Sequence, residues 1–313
     1  MRSTFGIVAA AAALALPAAP AAAQPAAAAA QSPAPRGTVS IPFAPPVGVP
    51  LRYRVERSTL APGRPANRAA LDFVATFARA GEGYRMSVNY VVPGGAGGAG
   101  GGDVDPAAAL MLRPLAFRLG ADATVLGLED EAAYWSALEA AADRSLAARG
   151  AATPELRERL RAFLGDLRAL PDAERLAKIG EIVLPIVAMA GADLDTGEAD
   201  SVSGPVETPF GRLTADVTQS VERIEGGIAH ASTVARINPA DAEAMMRAGF
   251  ARFAGEGAAL PEIRVTAFDD EERAEVSIET GLARRYEARR SVELEIAGQR
   301  ERVGTIVTVT AAN

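Results

Sequence analysis

Apolar and polar residues alternate along three consecutive runs near the end of the chain. The apolar positions are Ala274, Val276 and Ile278 in the first run; Leu282, Tyr286, Ala288, Val292, Leu294 and Ile296 in the second; and Val303, Val307 and Val309, with Thr305, in the third. Alternation with a period of two, interrupted by glycine and polar turns, is typical of an antiparallel meander with one buried face. The four acids at 269–272 are expected to form a solvated hairpin tip.

The same alternation occurs in the first half of the chain. Several of its inward positions are aromatic. The full inward set is Leu51, Tyr53, Val55, Leu71, Phe73, Ala75, Phe77, Tyr84, Met86, Val88, Tyr90 and Val92. β-Branched and aromatic residues favour strands, and facing pairs of them stabilise a sheet. Together with two short runs at 115–119 and 124–128, this pattern predicts five strands before the helices.

Helical periodicity appears in two places. Apolar residues at helical spacing predict three helices within an insertion at about 129–190, with Pro185 expected to kink the third. Asn238 and Pro239 then provide a cap and a first-turn proline for a fourth helix near 239–254. With two strands between these helical regions and four after residue 261, we predict an α+β fold. It consists of one strongly curved antiparallel sheet of about eleven strands within a single domain at 51–313.

The N-terminal segment is typical of a secretory signal peptide. Arg2 precedes an apolar stretch, and small residues end at Ala23 before Gln24, with a second acceptable cleavage site before Gln31. We expect a signal peptide at 1–23, a disordered Ala/Pro-rich lead-in at 24–50, and a periplasmic or secreted bacterial location by the general secretory route. The chain has no cysteine, so it has no disulfide and no thiolate metal site.

Composition and motifs exclude several function classes. The net charge of −7 disfavours nucleic acid as a partner, and the apolar tract at 182–190 is too short to span a bilayer. The glycines at 95–100 lack the helix and distant acid of a dinucleotide site, and the acids at 193–200 lack the glycine of a calcium loop. The single histidine, His230, has no nucleophile elbow nearby. We expect no cofactor, no metal site and no catalytic site.

The order of these elements resembles a known family. An exported meander interrupted by helices, with Tyr53, Phe73, Phe77, Tyr84 and Tyr90 alternating inward and a closing meander at 276–309, is similar to the half-barrel of periplasmic lipoprotein carriers of the LolA and LolB type. It also resembles related bacterial envelope families of unknown function. The resemblance implies a concave sheet face that holds acyl chains.

Two functions of different class remain open. In the first, Phe73, Tyr84, Met86, Tyr90 and Tyr286 line a pocket for an apolar small molecule or lipid, which suits flat amphipathic rings and an adaptable thioether. In the second, these side chains pack against a covering helix through Trp135 or Phe250. The protein is then a structural or interaction protein of the envelope with a filled core, and its partner is another envelope protein.

Overall fold

A computed structural model describes residues 37–60, 66–91, 114–148, 153–196, 201–208, 211–254, 263–296 and 298–312. The predicted signal peptide, the glycine-rich tract at 93–106 and the N-terminal part of the lead-in lie outside these residues. Within them, no helix combines the length and the low charge that crossing a bilayer requires.

One sheet of eleven antiparallel strands forms the body of the protein. Its first five strands are β2 (Leu51–Leu60), β3 (Asn67–Ala80), β4 (Gly83–Val91), β5 (Leu115–Leu119) and β6 (Val125–Leu128). The other six are β8 (Ser201–Thr208), β9 (Gly211–Glu225), β10 (Ile228–Ile237), β11 (Ile263–Ser277), β12 (Ala283–Ile296) and β13 (Gln299–Ala311). Each half is a meander of sequential neighbours, and pairing of β2 with β13 joins the halves. The predicted α+β class with a large curved antiparallel sheet is confirmed.

The strand count differs from the expectation in the second half. Three strands lie between the two helical regions in this sheet and three follow them, instead of two and four. The residues 269–272 do not form a hairpin tip, because β11 runs without a turn through all of them. β8 was missed because Gly204 and Pro205 interrupt its alternation, and β8 is an edge strand, where proline is tolerated.

The described residues also form four α-helices and one 3₁₀ helix. They are α1 (Glu131–Ala148), α2 (Pro154–Arg168), α3 (Asp172–Gly180), the 3₁₀ helix η1 (Leu184–Val187) and α4 (Pro239–Ala254). The predicted kink at Pro185 is wrong, because α3 ends at Gly180 and Pro185 lies at the start of η1. An α-helix could not continue through Pro185 without a clash with the carbonyl of residue 181.

The inner face of the sheet carries two separate apolar clusters. The large cluster lies on the first half of the sheet and on the adjoining ends of β9 to β13. Val183, Ile186 of the 3₁₀ helix η1, and Ile41 and Phe43 of the segment before β2 cover it. The small cluster lies at the other end of the long strands, under α4, and contains Ala242, Met246, Ile263, Val265 and Leu294. The side chain of Glu243 accepts a hydrogen bond from the Val265 backbone at 3.1 Å and fixes α4 to β11.

The predicted lead-in is not disordered where the structure describes it. Thr38–Ser40 forms β1, which pairs with β7 (Asp193–Asp195) in a small second sheet. Ile41 and Phe43 are buried, and the Phe43 ring contacts Tyr84 edge-on with centroids 4.9 Å apart. Proline-rich composition suggested an unpacked segment, but two large apolar side chains in it complete the core.

Gly281 joins this segment to the turn between β11 and β12. Its φ is +74°, and a Cβ at this position would overlap the carbonyl oxygen of Pro42. The Ala44 backbone N–H also donates to the carbonyl of Thr280 at 3.0 Å. This close approach requires glycine both for the left-handed conformation and for the missing side chain.

We predict that Gly281→Ala lowers the free energy of unfolding by about 3 kcal/mol or more, from left-handed strain together with overlap against a packed backbone. Gly298→Ala is the matched control, because Gly298 has a φ of +79° and nothing within 4 Å of its ideal Cβ. It should lose only about 1–2 kcal/mol. Urea denaturation of both variants measures the difference, and equal losses would show that the segment before β2 does not pack on this turn.

Candidate functional site

A polar belt crosses the inner face between the two apolar clusters. It consists of Gln219 on β9, Thr233 on β10, Asp270 and Glu272 on β11, and Arg290 on β12. Thr233 lies opposite both Gln219 and Glu272, so these three side chains form one row across adjacent strands. Asp270 and Arg290 lie opposite each other in the next row towards the small cluster. Directly opposite residues in an antiparallel pair share a face, so register alone brings these groups together.

Asp270 and Arg290 form a buried ion pair. The Nε and Nη2 atoms of Arg290 lie 2.7 and 2.6 Å from Oδ2 of Asp270, and the two side chains are 12% and 5% exposed. Two charges taken out of water at this position are costly unless they remain paired. Asp270 therefore supplies the counter-ion that keeps Arg290 on the inner face.

Glu272 has no such partner. It is 6% exposed, makes no ion pair within the described part of the chain, and its Oε1 atom has no hydrogen-bond partner there. Burial, followed by repulsion from Asp270, raises the pKa of Glu272 from 4.5 to about 7, against the opposing effects of Arg290 and a hydrogen bond from Tyr286. A carboxyl group in this state can change protonation near neutral pH.

Thr233 and Gln219 extend this unsatisfied region. The Oγ1 atom of Thr233 is buried without a partner among the described residues, directly beside Glu272. Gln219 donates its side-chain N–H to the Met189 sulfur at 3.2 Å, which is a weak acceptor. Each unmet polar atom in a buried site costs about 1–3 kcal/mol, so two adjacent ones are costly to the folded state unless a further polar group pairs with them.

Two more charged residues face the belt from its surroundings. Arg57 on β2 lies in the same row as Glu272, separated from it by Ala288 and Val307. Glu181, just after α3, has a pKa raised by desolvation and lowered in part by attraction to Arg57. The segment that contains Glu181 and Met189 is therefore the cover of the belt.

The five residues predicted to line a pocket all belong to or pack against the large cluster. Phe73, Tyr84, Met86 and Tyr286 are almost fully buried and Tyr90 is half-buried, with the Phe73 and Tyr90 rings in edge contact at 6.4 Å. Tyr286 is separated from the other four, because β2 and β13 lie between its strand and β3. It borders the polar belt through its hydrogen bond to Glu272. Whether these residues bind a ligand stays a prediction.

Trp135, one of the two residues proposed to cover the aromatic side chains, does not belong to the large cluster. Trp135 donates its indole N–H to Glu131 at 2.9 Å, and Glu131 also pairs with Arg175, so that these side chains tie α1 to α3. The side chain of Phe250 lies outside the described residues. Ile41, Phe43 and η1 provide the cover instead.

Within the described residues, no hydrogen bond joins His230 to Ser220 or Ser232. The Nδ1 atom of His230 lies 3.2 Å from Arg223 Nη2 on the outer face, and Ser220 and Ser232 lie 3.4 Å from each other. Among the described residues, no group of three or more histidine, cysteine or acidic side chains could hold a metal ion. A cleft of about 310 Å³ lies between α1 and α2, with Leu160 and Leu164 beside Glu139 and Arg157, away from the belt.

Alternation along β11 could have located the belt. Ala274 and Val276 face inward, and the same period of two places Glu272 and Asp270 on the inner face as well. Likewise, Arg290 occupies an even position of a strand whose inward side chains are even-numbered. The four consecutive acids at 269–272 instead favour an exposed segment, because charged side chains are rarely buried without a partner. The pairing of Asp270 with Arg290 on β12 follows only from the register of the two strands.

No family model matches this chain, and no curated protein matches it. Among solved structures that are similar to this chain, DynF from the dynemicin biosynthesis pathway of Micromonospora chersina aligns over 90% of this chain and 85% of its own, with 7% identity and a TM-score of 0.20. This likeness is too distant to carry an argument about fold or function.

We predict that Asp270→Ala lowers the free energy of unfolding by about 3–5 kcal/mol, because it leaves the Arg290 charge buried and unpaired. The neighbouring Glu271→Ala is the control, since Glu271 pairs on the surface with Arg273, whose side chain is 66% exposed. That loss should stay below about 1 kcal/mol. Denaturant titration at constant pH compares them, and a loss below 1 kcal/mol for both would contradict a buried pair.

Glu272 should make stability depend on pH in an unusual direction. A raised carboxyl pKa means that the folded state holds a proton that the unfolded state has released, so stability falls as pH rises from 4.5 through 7. The stability of the wild type relative to Glu272→Gln should therefore fall by on the order of 2 kcal/mol between pH 5 and pH 8. Parallel denaturation curves measure this difference, and Glu275→Gln, on the outer side of β11, should show no such change. A relative stability that rises with pH would refute a buried, unpaired Glu272.

Proposed function

We propose that this protein is an exported binding protein of the bacterial envelope that holds a molecule with an apolar body and one polar group on the inner face of its sheet. The main observation in support of this proposal is a pair of adjacent, buried oxygen atoms between the two apolar clusters. These atoms, Glu272 Oε1 and Thr233 Oγ1, have no hydrogen-bond partner among the described residues. Binding sites typically combine such an apolar lining with a few convergent polar groups. The hydroxyl group of Thr233 beside Glu272 makes no hydrogen bond to a base within the described residues, so binding accounts for the arrangement better than catalysis.

The belt divides the inner face in a way that suits an amphiphile. On one side lie Tyr286 and the aromatic side chains of the large cluster, and on the other lie Met246, Val292 and Leu294 of the small cluster. An apolar body can therefore extend from the belt in either direction, while its polar group meets Glu272 and Thr233. A lipid-like molecule has this division.

The cover of the belt is locally irregular. Between Gly180 and β7 the chain forms turns and the four-residue helix η1 rather than a long helix. Fewer regular backbone hydrogen bonds hold such a segment, and binding regions are commonly drawn from the less stable parts of a fold. A ligand that displaces part of this cover can reach the belt without breaking the sheet.

An interaction protein with a filled core is the second candidate. It is favoured by Ile41 and Phe43, which occupy the space in front of the aromatic residues. In that case the belt is internal, and a partner in the envelope contacts the outer surface or an edge strand. The two candidates differ in whether a small molecule accompanies the protein.

The experiment is purification of the full chain from its native envelope, followed by solvent extraction and mass spectrometry. We expect a mature N-terminus at Gln24 or Gln31 and about one apolar molecule per chain. Thr233→Val, which removes the unpartnered hydroxyl, should reduce that occupancy. Thr218→Val is the control, because Thr218 lies on the outer face of the neighbouring strand β9.

Absence of a bound molecule, combined with no fluorescence increase of micromolar diphenylhexatriene, would overturn the binding function and leave the interaction protein. An intact Met1 on cytoplasmic material would overturn export. Equal occupancy in the two threonine variants would show that the ligand does not contact the belt.

A further inference from the structure

The charges of the belt do not balance group by group. Asp270 is matched by Arg290 at 2.6 Å, and Glu181 on the covering segment is attracted to Arg57, Lys178 and Arg290. Glu272 is the carboxyl group left without an ion-pair partner in the described part of the chain. Tyr286 donates a hydrogen bond to the Glu272 carboxyl group, so the part of this group that lacks any partner is its Oε1 atom.

The missing partner must be a donor. An ionised carboxylate only accepts hydrogen bonds, so the unmet Oε1 atom of Glu272 needs an N–H or O–H group. The neighbouring Thr233 hydroxyl accepts or donates and can share that group or bind a second atom of it. A donor placed between these two oxygen atoms would satisfy both.

The same geometry disfavours an anionic head group. A ligand carboxylate or phosphate at this place would lie beside Glu272 and close to Asp270, and like charges in a buried site repel strongly. Arg290 cannot compensate easily, because its Nε and Nη2 atoms already bind Asp270. The nearest cationic group of the belt is therefore engaged.

From these three observations we infer that the belt selects amphiphiles whose polar end is a hydrogen-bond donor, an ammonium or a hydroxyl group, and rejects those that end in a carboxylate. This inference rests on the proposed binding function. It adds a specificity, with Glu272 as the selecting residue and Thr233 as its partner.

Displacement of diphenylhexatriene from the full chain tests this specificity, because the probe itself has no polar group. Dodecylamine, dodecanol and dodecanoate share one chain length and are compared at pH 8, below the concentrations at which they form micelles. We expect dodecanoate to bind at least tenfold more weakly than dodecylamine. Dodecanol separates the two donor chemistries. Weaker binding of dodecanol than of dodecylamine indicates an ion pair with Glu272, and equal binding indicates a neutral hydrogen bond.

Glu272→Gln should reduce the preference for amine over carboxylate at least tenfold, while Glu275→Gln leaves it unchanged. The wild-type preference should also shrink at pH 6, where Glu272 holds its proton. Dodecanoate binding as tightly as dodecylamine, or an unchanged preference in Glu272→Gln, would overturn the inference even though a binding function survives. Failure of the probe to bind the wild type would instead remove the proposed function and the inference together.

Discussion

The burial of charged groups in the middle of a sheet is the constraint on which the rest of this structure depends. A carboxylate or guanidinium removed from water is stabilised only if opposite charges and hydrogen bonds replace the water. The register between β11 and β12 provides this for Asp270 and Arg290, which face each other. A slip of one residue would turn the inward side chains of one of the two strands to the outer face, so that Asp270 and Arg290 would no longer face each other. The ion pair therefore favours a single register for the two longest neighbouring strands of the second half.

The position of the belt follows from the two apolar clusters on either side of it. The long strands extend beyond what η1 and the segment before β2 can cover, and α4 covers their far end. Between η1 and α4, the belt is contacted by the residues that follow η1, where the Met189 sulfur accepts a hydrogen bond from Gln219. Polar side chains occupy this junction, and among the described residues the atoms Glu272 Oε1 and Thr233 Oγ1 have no hydrogen-bond partner. The same gap between covers thus gives both the structural need for polar residues and the chemistry of the proposed site.

Sequence pattern predicted the sheet well because alternation is a local property. The inward sets on β3, β4 and β12 follow directly from residues two apart, such as Phe73, Ala75 and Phe77. Features that depend on distant contacts were not predictable in this way. Ile41 and Phe43 sit in a proline-rich segment whose packing requires the turn at Gly281, some 240 residues later along the chain. Glu272 looked solvated because its surroundings come from β10 and β12, and only the strand register brings these together.

The central claim is that Glu272 is a buried carboxyl group without an ion-pair partner on the inner face. A carbon-detected NMR titration of protein labelled at the glutamate side-chain carboxyl carbon tests it most directly, with the resonance assigned by its absence in Glu272→Gln. The structure predicts a midpoint near pH 7 for this one resonance, as the pKa of about 7 requires. A midpoint near 4.5, the ordinary value for glutamate, would show that Glu272 is exposed or paired and would contradict the account.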